Sequence, residues 1–283
     1  MLAALSPDRY RTRDIYIDTR GQWHAEGKPI APERVLRQLD VALLPLHGEY
    51  GKSGKVQRLL EQFSVPYVGA DSFASYLSMH KVMARAQAEE AGLATPGFRY
   101  IDDPHAAETV AREVIRTFHQ PVVVKAVIGH SGESSVVGGY APVLAAITTL
   151  FGGGARGVMV EEYLRGREAV VGLVEGLRDE NLYALPPVEI VTPTSGPRAQ
   201  TCPGHFSRVE AEELARAAKI VHRTLGLRHC SESRFILTPR GLYYLETNTL
   251  PTLAPDEAFV LAIEAVGLSL ADFLAHLIER VRG

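Results

Sequence analysis

Residues 231–251 read SESRFILTPRGLYYLETNTLP, and the two β-prone halves of this stretch are predicted to pair as a hairpin. In the second half, Glu246 and Asn248 lie two apart on a strand and therefore share a face. Paired oxygen donors on one face suit Mg²⁺, which keeps some waters and takes its other ligands from carboxylate, amide and substrate phosphate oxygens. The same pair reads equally as a salt-bridged structural glutamate, because a buried carboxylate needs either a metal or a basic group beside it. In the first half, Glu232 and Arg234 also share a face, which places an acid and a base where they can pair with each other or with Glu246.

Upstream of the hairpin, a long helix is expected from Ser207, whose S-x-x-E spacing to Glu210 is a capping box. Before it come strands in REAVVGLVEG and LYALPPVEIV and a polar joint; two amphipathic helices follow the hairpin. A middle unit starts near Thr95. It comprises GFRYI, a helix capped by Asp103 with Pro104 in its first turn, the strand PVVVKAV, the loop IGHSGESSVVGG, the helix APVLAAITTLF and the strand GVMVEEYL. The first unit alternates RDIYID, VALLPL and PYVG with polar joints, then runs into the helical pattern SFASYLSMHKVMARAQAEEAG. Val41–Leu46, apolar at nearly every position, is expected as a buried strand in the middle of a sheet. The chain opens on what reads as a first helix, LAALSPDRY, where a doubly wound domain usually begins with a strand and a glycine-rich turn. A mis-set start, a lobe closed by another chain and a reduced lobe all account for that. Three regions are expected: 1–77, an N-terminal α/β substrate-side domain lacking its first strand; 78–163, a central lobe; and 164–283, a C-terminal lobe.

With 283 residues, 46% of them hydrophobic, the chain is long enough for two or three lobes with separate cores. Thirty basic residues stand against 33 acidic ones, spread along the chain, so no basic stripe tracks a phosphodiester backbone and nucleic acid is not an expected partner. Cys202 and Cys230 lack CxxC spacing and accompanying histidines, which argues against zinc and a disulfide framework. No apolar run approaches the roughly 20 residues of a membrane span, and the expected location is the cytoplasm.

Four pieces carry chemistry. Lys125 ends the strand PVVVKAV just before a loop holding Gly129, Gly132, Gly138 and Gly139 with Ser131, Ser134 and Ser135; such a hairpin brings N–H groups and a lysine to phosphates, or is a plain turn. No GxxxxGK[ST] is present, so it is not a P-loop. VMVEEYLRGRE ends a strand in two carboxylates and an aromatic, with Glu168 following; the segment suits an adenine edge and ribose hydroxyls, or is a solvated hinge. LYYLETNTLP is the metal-type pair described above. PLHGEYGKSGKVQ is a glycine-rich, charged loop whose N–H groups and His47 suit a substrate carboxylate or acyl phosphate, although a lone histidine at a strand end is as readily structural.

Taken in order, HGEYGKSGKVQRLLEQFSVPYVGADSFASYLSMHK, VVVKAVIGHSGESSVV, VMVEEYLRGREAVV and LYYLETNTLP resemble the D-alanine:D-alanine ligases of the ATP-grasp superfamily, from about Tyr10 to the C-terminus. The resemblance implies an α/β and α+β chain with the ATP-grasp fold and a truncated N-terminal α/β lobe. It implies ATP and Mg²⁺ (or Mn²⁺) as cofactors, D-alanine or another amino acid as substrate, a homodimer, and a role in peptidoglycan precursor synthesis. Position by position, Lys81 and Lys125 match the lysines of the phosphates and adenine side, and Ser131 the serine of the glycine-rich lid. Glu161 matches the adenine amino-group acceptor, Glu162, Tyr163 and Leu164 the hinge that reads the base, and Glu168 the ribose carboxylate. Glu246 and Asn248 match metal ligands, and Ser131 with His47 the catalytic side.

Several positions depart from that family's pattern. Its N-terminal glycine-rich stretch and substrate glutamate have no counterpart, and Lys52 and Ser53 stand where it has an acidic pair. Its D-Y-x-x-K-Y loop is replaced by TPTSGPRAQ, which removes a lid that would exclude water from an acyl phosphate. Where the family reads R-V-D, this chain reads Glu232-Ser233-Arg234, so the sign of both charges is reversed. A catalytically impaired homologue that binds nucleotide or a partner, and a ligase for a different carboxylate and amine, therefore stand beside D-alanine ligation as readings.

Overall fold

The computed structural model describes residues 1–46, 51–128, 134–191 and 199–282. Its framework is three antiparallel sheets. The first joins β1 (Ile15–Ile17), β2 (Trp23–Ala25) and β3 (Lys28–Pro29) in a meander. The second has the order β4 (Phe98–Ile101), β7 (Val158–Glu162), β5 (Val122–Ala126), β6 (Ser134–Val137). The third has six strands, in the order β11 (Ala199–Thr201), β10 (Val188–Val191), β8 (Arg167–Glu175), β12 (Cys230–Thr238), β13 (Gly241–Asn248), with β9 (Leu182–Ala184) also paired to β8.

In the middle unit, alternate residues of the sheet and the helices Ala107–Thr117 and Tyr140–Gly152 close one core, with Ala111, Val114, Val122, Val124, Val143 and Ile147 fully buried. Strand β8 is covered on both faces, which is why it reads as a continuous apolar run. Ala169, Val171 and Leu173 face the helix Arg208–Thr224, while Val170 and Val174 face the helices Ala258–Ala265 and Leu270–Arg282. Gly172 sits between them because a Cβ there would come within 2.8 Å of Leu185 and 2.9 Å of Phe259. Ser207 forms the expected capping box, its side chain accepting from the Glu210 N–H while Glu210 accepts from the Ser207 N–H. Among the described residues no single helix is long and apolar enough to cross a membrane.

Three expectations from the first unit are corrected. Val41–Leu46 forms no strand; Ala42 makes an isolated parallel bridge to Tyr67, accepting from Val68 and donating to Pro66, and the run is only half-buried. An apolar run becomes a strand only where neighbours take its backbone groups, and here only the PYVG segment does so. LAALSPDRY gives a single 3₁₀ turn at Leu2–Ala4, cut short ahead of Pro7. The helical pattern after Asp71 is two helices, Ser72–Met79 and Lys81–Glu90, broken at His80, whose extended backbone ends the first and whose Nδ1 accepts from Met83 N–H to begin the second. At that break Lys81 donates its N–H to the Val127 carbonyl, which joins the helix to the second sheet.

Candidate functional site

The hairpin β12–β13 lays its register so that Arg234 lies opposite Glu246 and Glu232 opposite Asn248. A register shift between Arg234 and Phe235 leaves Leu245 as an extra residue on β13. The Leu245 carbonyl accepts from Arg85 Nε at 3.4 Å and Nη2 at 3.5 Å. Arg85 is fully buried and its Nη1 lies 2.5 Å from Glu161 Oε2 on β7; the other Glu161 oxygen lies 2.7 Å from Lys125 Nζ on β5. Helix Lys81–Glu90 thus ties the second sheet to the third through one guanidinium. It also contributes Ala84 and Ala88 to the core under β8 and β12.

In front of this tie lies a cavity of about 280 Å³, lined by Lys52, Ser75, Ser78, Lys81, Glu232, Arg234, Glu246, Asn248 and Glu257 among others. Glu246 and Asn248 share its wall, as their spacing predicts. Burial alone would push the Glu246 carboxyl up, but Lys81, Lys125, Arg234 and Arg85 together hold it below the usual carboxylate range. Burial lowers the Lys81 amine, with Glu246 opposing the shift and Lys125 adding to it. Lys52 is likewise lowered, by burial against the attraction of Glu232 and Glu246. Glu232 is the converse: burial pushes its carboxyl up more strongly than Arg234 and Lys52 pull it down.

Arg234 does not pair with Glu232. Its guanidinium lies 3.3 Å from Glu168 Oε1 and 3.9 Å from Glu246 Oε1, so the arginine neutralises the two carboxylates expected at the ribose and the metal. This arrangement does not fit a divalent ion held by Glu246 and Asn248. A dication about 4 Å from a guanidinium is opposed by about 8 kcal/mol at an effective dielectric near 20. The Asn248 oxygen accepts from the Leu250 N–H at 3.2 Å, which occupies one of its two lone pairs. Among the described residues no group of three His, Cys, Asp or Glu is placed to hold a metal.

Of the other expected site residues, Lys81, Lys125 and Glu161 come together, all buried. Glu161 acts as counter-ion to Lys125 and Arg85 and exposes only 4% of its surface. Glu162 accepts from the Gly97 N–H, Tyr163 is exposed and Leu164 is buried. Ser131 and His47 lie outside the described residues, as do the loop glycines Gly129 and Gly132 and most of TPTSGPRAQ. The sequence reading missed Arg85 and Glu257. Arg85 had a signal: it stands four residues after Lys81, on the same helix face, among alanines. Glu257 had none, because its relation to Glu232 exists only once the last helices have packed.

Comparison with known proteins gives a consistent answer. Residues 88–279 match the family described as D-ala D-ala ligase C-terminus. The D-alanine--D-alanine ligase of Desulforudis audaxviator is 31% identical over 252 residues, covering 85% of this chain and 81% of the relative. Among solved structures, the VanG D-Ala:D-Ser ligase from Enterococcus faecalis superposes with a TM-score of 0.85 at 21% identity, covering 98% of this chain and 92% of that one. The D-alanine--D-alanine ligase from Bacillus anthracis complexed with ATP gives 0.78 at 23% identity, covering 88% and 82%.

Proposed function

Because the chain belongs to the D-alanine--D-alanine ligase family, we propose that it performs ATP-dependent ligation of D-alanine to an amine through an acyl phosphate, in the cytoplasm. The observation that carries this reading is the convergence of Lys81, Lys125 and Arg234 on the single carboxylate of Glu246 in the cleft between two sheets. Amines and a guanidinium gathered on one wall of a cleft are suited to a polyphosphate, and phosphoryl transfer needs positioning and charge neutralisation more than a strong base.

In this reading the backbone of Glu162–Leu164 reads the adenine edge and Lys81 and Lys125 take the phosphates. Glu161 positions Lys125 and Arg85 rather than meeting the base. A substrate carboxylate oxygen attacks the γ-phosphorus, ADP leaves, and the amine nitrogen then attacks the acyl carbon, losing a proton as phosphate departs. Mg²⁺ would come with the nucleotide as its counter-ion, and Arg234 supplies the positive charge beside Glu246. The region boundaries at 77 and 163 and a homodimer belong to the same proposal.

The test is ADP release from ATP with and without D-alanine, in the absence and in the presence of 1,4-diaminobutane, with the product identified by mass. D-alanine-dependent release and a D-alanine amide product are expected. ATP binding by calorimetry without any such release would favour a second reading, a nucleotide-binding homologue without ligase turnover. The guanidinium of Arg234, 3.9 Å from Glu246, is the observation on that side.

A further inference from the structure

The cavity changes sign along its length. At one end Lys81 and Arg234 surround Glu246; at the other stand Glu232 and Glu257. Glu232 is 7% exposed and lines the cavity, yet its carboxyl has no hydrogen-bond or ion-pair partner among the described residues. A carboxylate in that state is costly unless something completes it. Glu257 is the N-cap residue of helix Ala258–Ala265, but its side chain makes no capping hydrogen bond and lines the cavity instead. Lys52 acts on both glutamates through space without coming within ion-pair distance of either. Two carboxylates lining one end of a cavity suit an ammonium group, whose N–H donors carry the opposite charge and need no fixed coordination geometry.

We infer that the acidic end of this cavity, Glu232 with Glu257, binds a second ammonium group on the amine substrate, which makes the acceptor a diamine rather than an amino acid with a carboxylate at that end. The inference rests on the ligase reading above and names its acceptor class. Glu232 and Arg234 are two residues apart on one strand, about 6–7 Å, a span that a four-carbon diamine matches. One nitrogen, unprotonated, faces the phosphate end and forms the amide with the D-alanine carboxyl, losing its proton as phosphate leaves; the other stays an ammonium between Glu232 and Glu257. A carboxylate in the same place would face two like charges.

The experiment is calorimetry on the full chain with ADP present, titrating 1,4-diaminobutane against 1-butylamine, which carries a single charge. The expected result is a preference of at least about tenfold for the diamine in the wild type, falling below about threefold in Glu232→Gln. Glu257→Gln, at a half-buried position, reduces the preference in the same direction and serves if the first variant does not fold. Equal affinity for the two amines, no diamine binding, or an unchanged preference in both variants overturns the inference. ADP is titrated separately: ADP binding with no diamine preference overturns this inference alone, and a diamine preference without ADP binding overturns the nucleotide reading alone.

Discussion

At the second-sheet end of the cleft, Glu161 is 4% exposed and sits between Lys125 at 2.7 Å and Arg85 at 2.5 Å. At the far end, Glu232 is 7% exposed and has no such partner among the described residues. Burial is similar and compensation is opposite. A carboxylate enclosed by two cations, one of them also bonded to the Leu245 carbonyl, fixes the relation of two sheets. One enclosed by nothing of opposite charge within contact distance is a place where the chain accepts instability in order to meet a ligand. The first end is architecture and the second is recognition.

The largest effect should come from breaking the compensated end. Glu161→Gln leaves Arg85 and Lys125 buried without their counter-ion and should cost about 3–5 kcal/mol of unfolding free energy, read by urea denaturation. A cost near zero would mean that Glu161 does not hold the tie. At the other end the sign reverses. Glu232→Gln removes an uncompensated charge and should leave stability unchanged or raise it by about 1–2 kcal/mol at neutral pH.

That contrast has a pH signature within one hairpin. The folded-state carboxyl of Glu232 is raised, so the native state holds the proton longer than the unfolded chain and stability falls as pH rises from the ordinary glutamate range through the folded value. The advantage of Glu232→Gln should therefore grow with pH. Glu246 is lowered, so its contribution is present above the ordinary range and is lost as pH falls through its folded value. The penalty of Glu246→Gln should fade in acid. Parallel pH profiles for the two variants would show that the two ends do not differ. The smallest effect is expected between them. Arg234→Asp returns a carboxylate to the wall beside Glu246 and should make ATP affinity depend on Mg²⁺ by about tenfold, about 1.4 kcal/mol, measured by titration with and without the ion.

Much of this was legible in residue order. The hairpin, the presence of strand β8, the Asp103 and Ser207 caps and the shared face of Glu246 and Asn248 all follow from period, capping chemistry and alternation. Other features were not. Val41–Leu46 has the composition of a central strand, but strand formation depends on a neighbour that sequence periodicity does not reveal. The break at His80 falls inside an unbroken helical pattern, because it is set by an isolated bridge from His80 to Ile128, just beyond the end of β5. At the site, the identity of Arg234 showed that charge was reversed; its double contact with Glu168 and Glu246, and the absence of a Glu232–Arg234 pair, required the register and the bulge.

The claim on which the rest depends is that the chain's own cations, Arg234 included, prepare the cleft for a polyphosphate without an ion held by Glu246 and Asn248. Calorimetric titration of ATP into the wild-type chain, once with Mg²⁺ and once with EDTA, tests it most directly. Affinities within about threefold of each other are expected, whereas a loss of about a hundredfold in EDTA, about 2.7 kcal/mol, would contradict the account and restore a protein-held metal to the site.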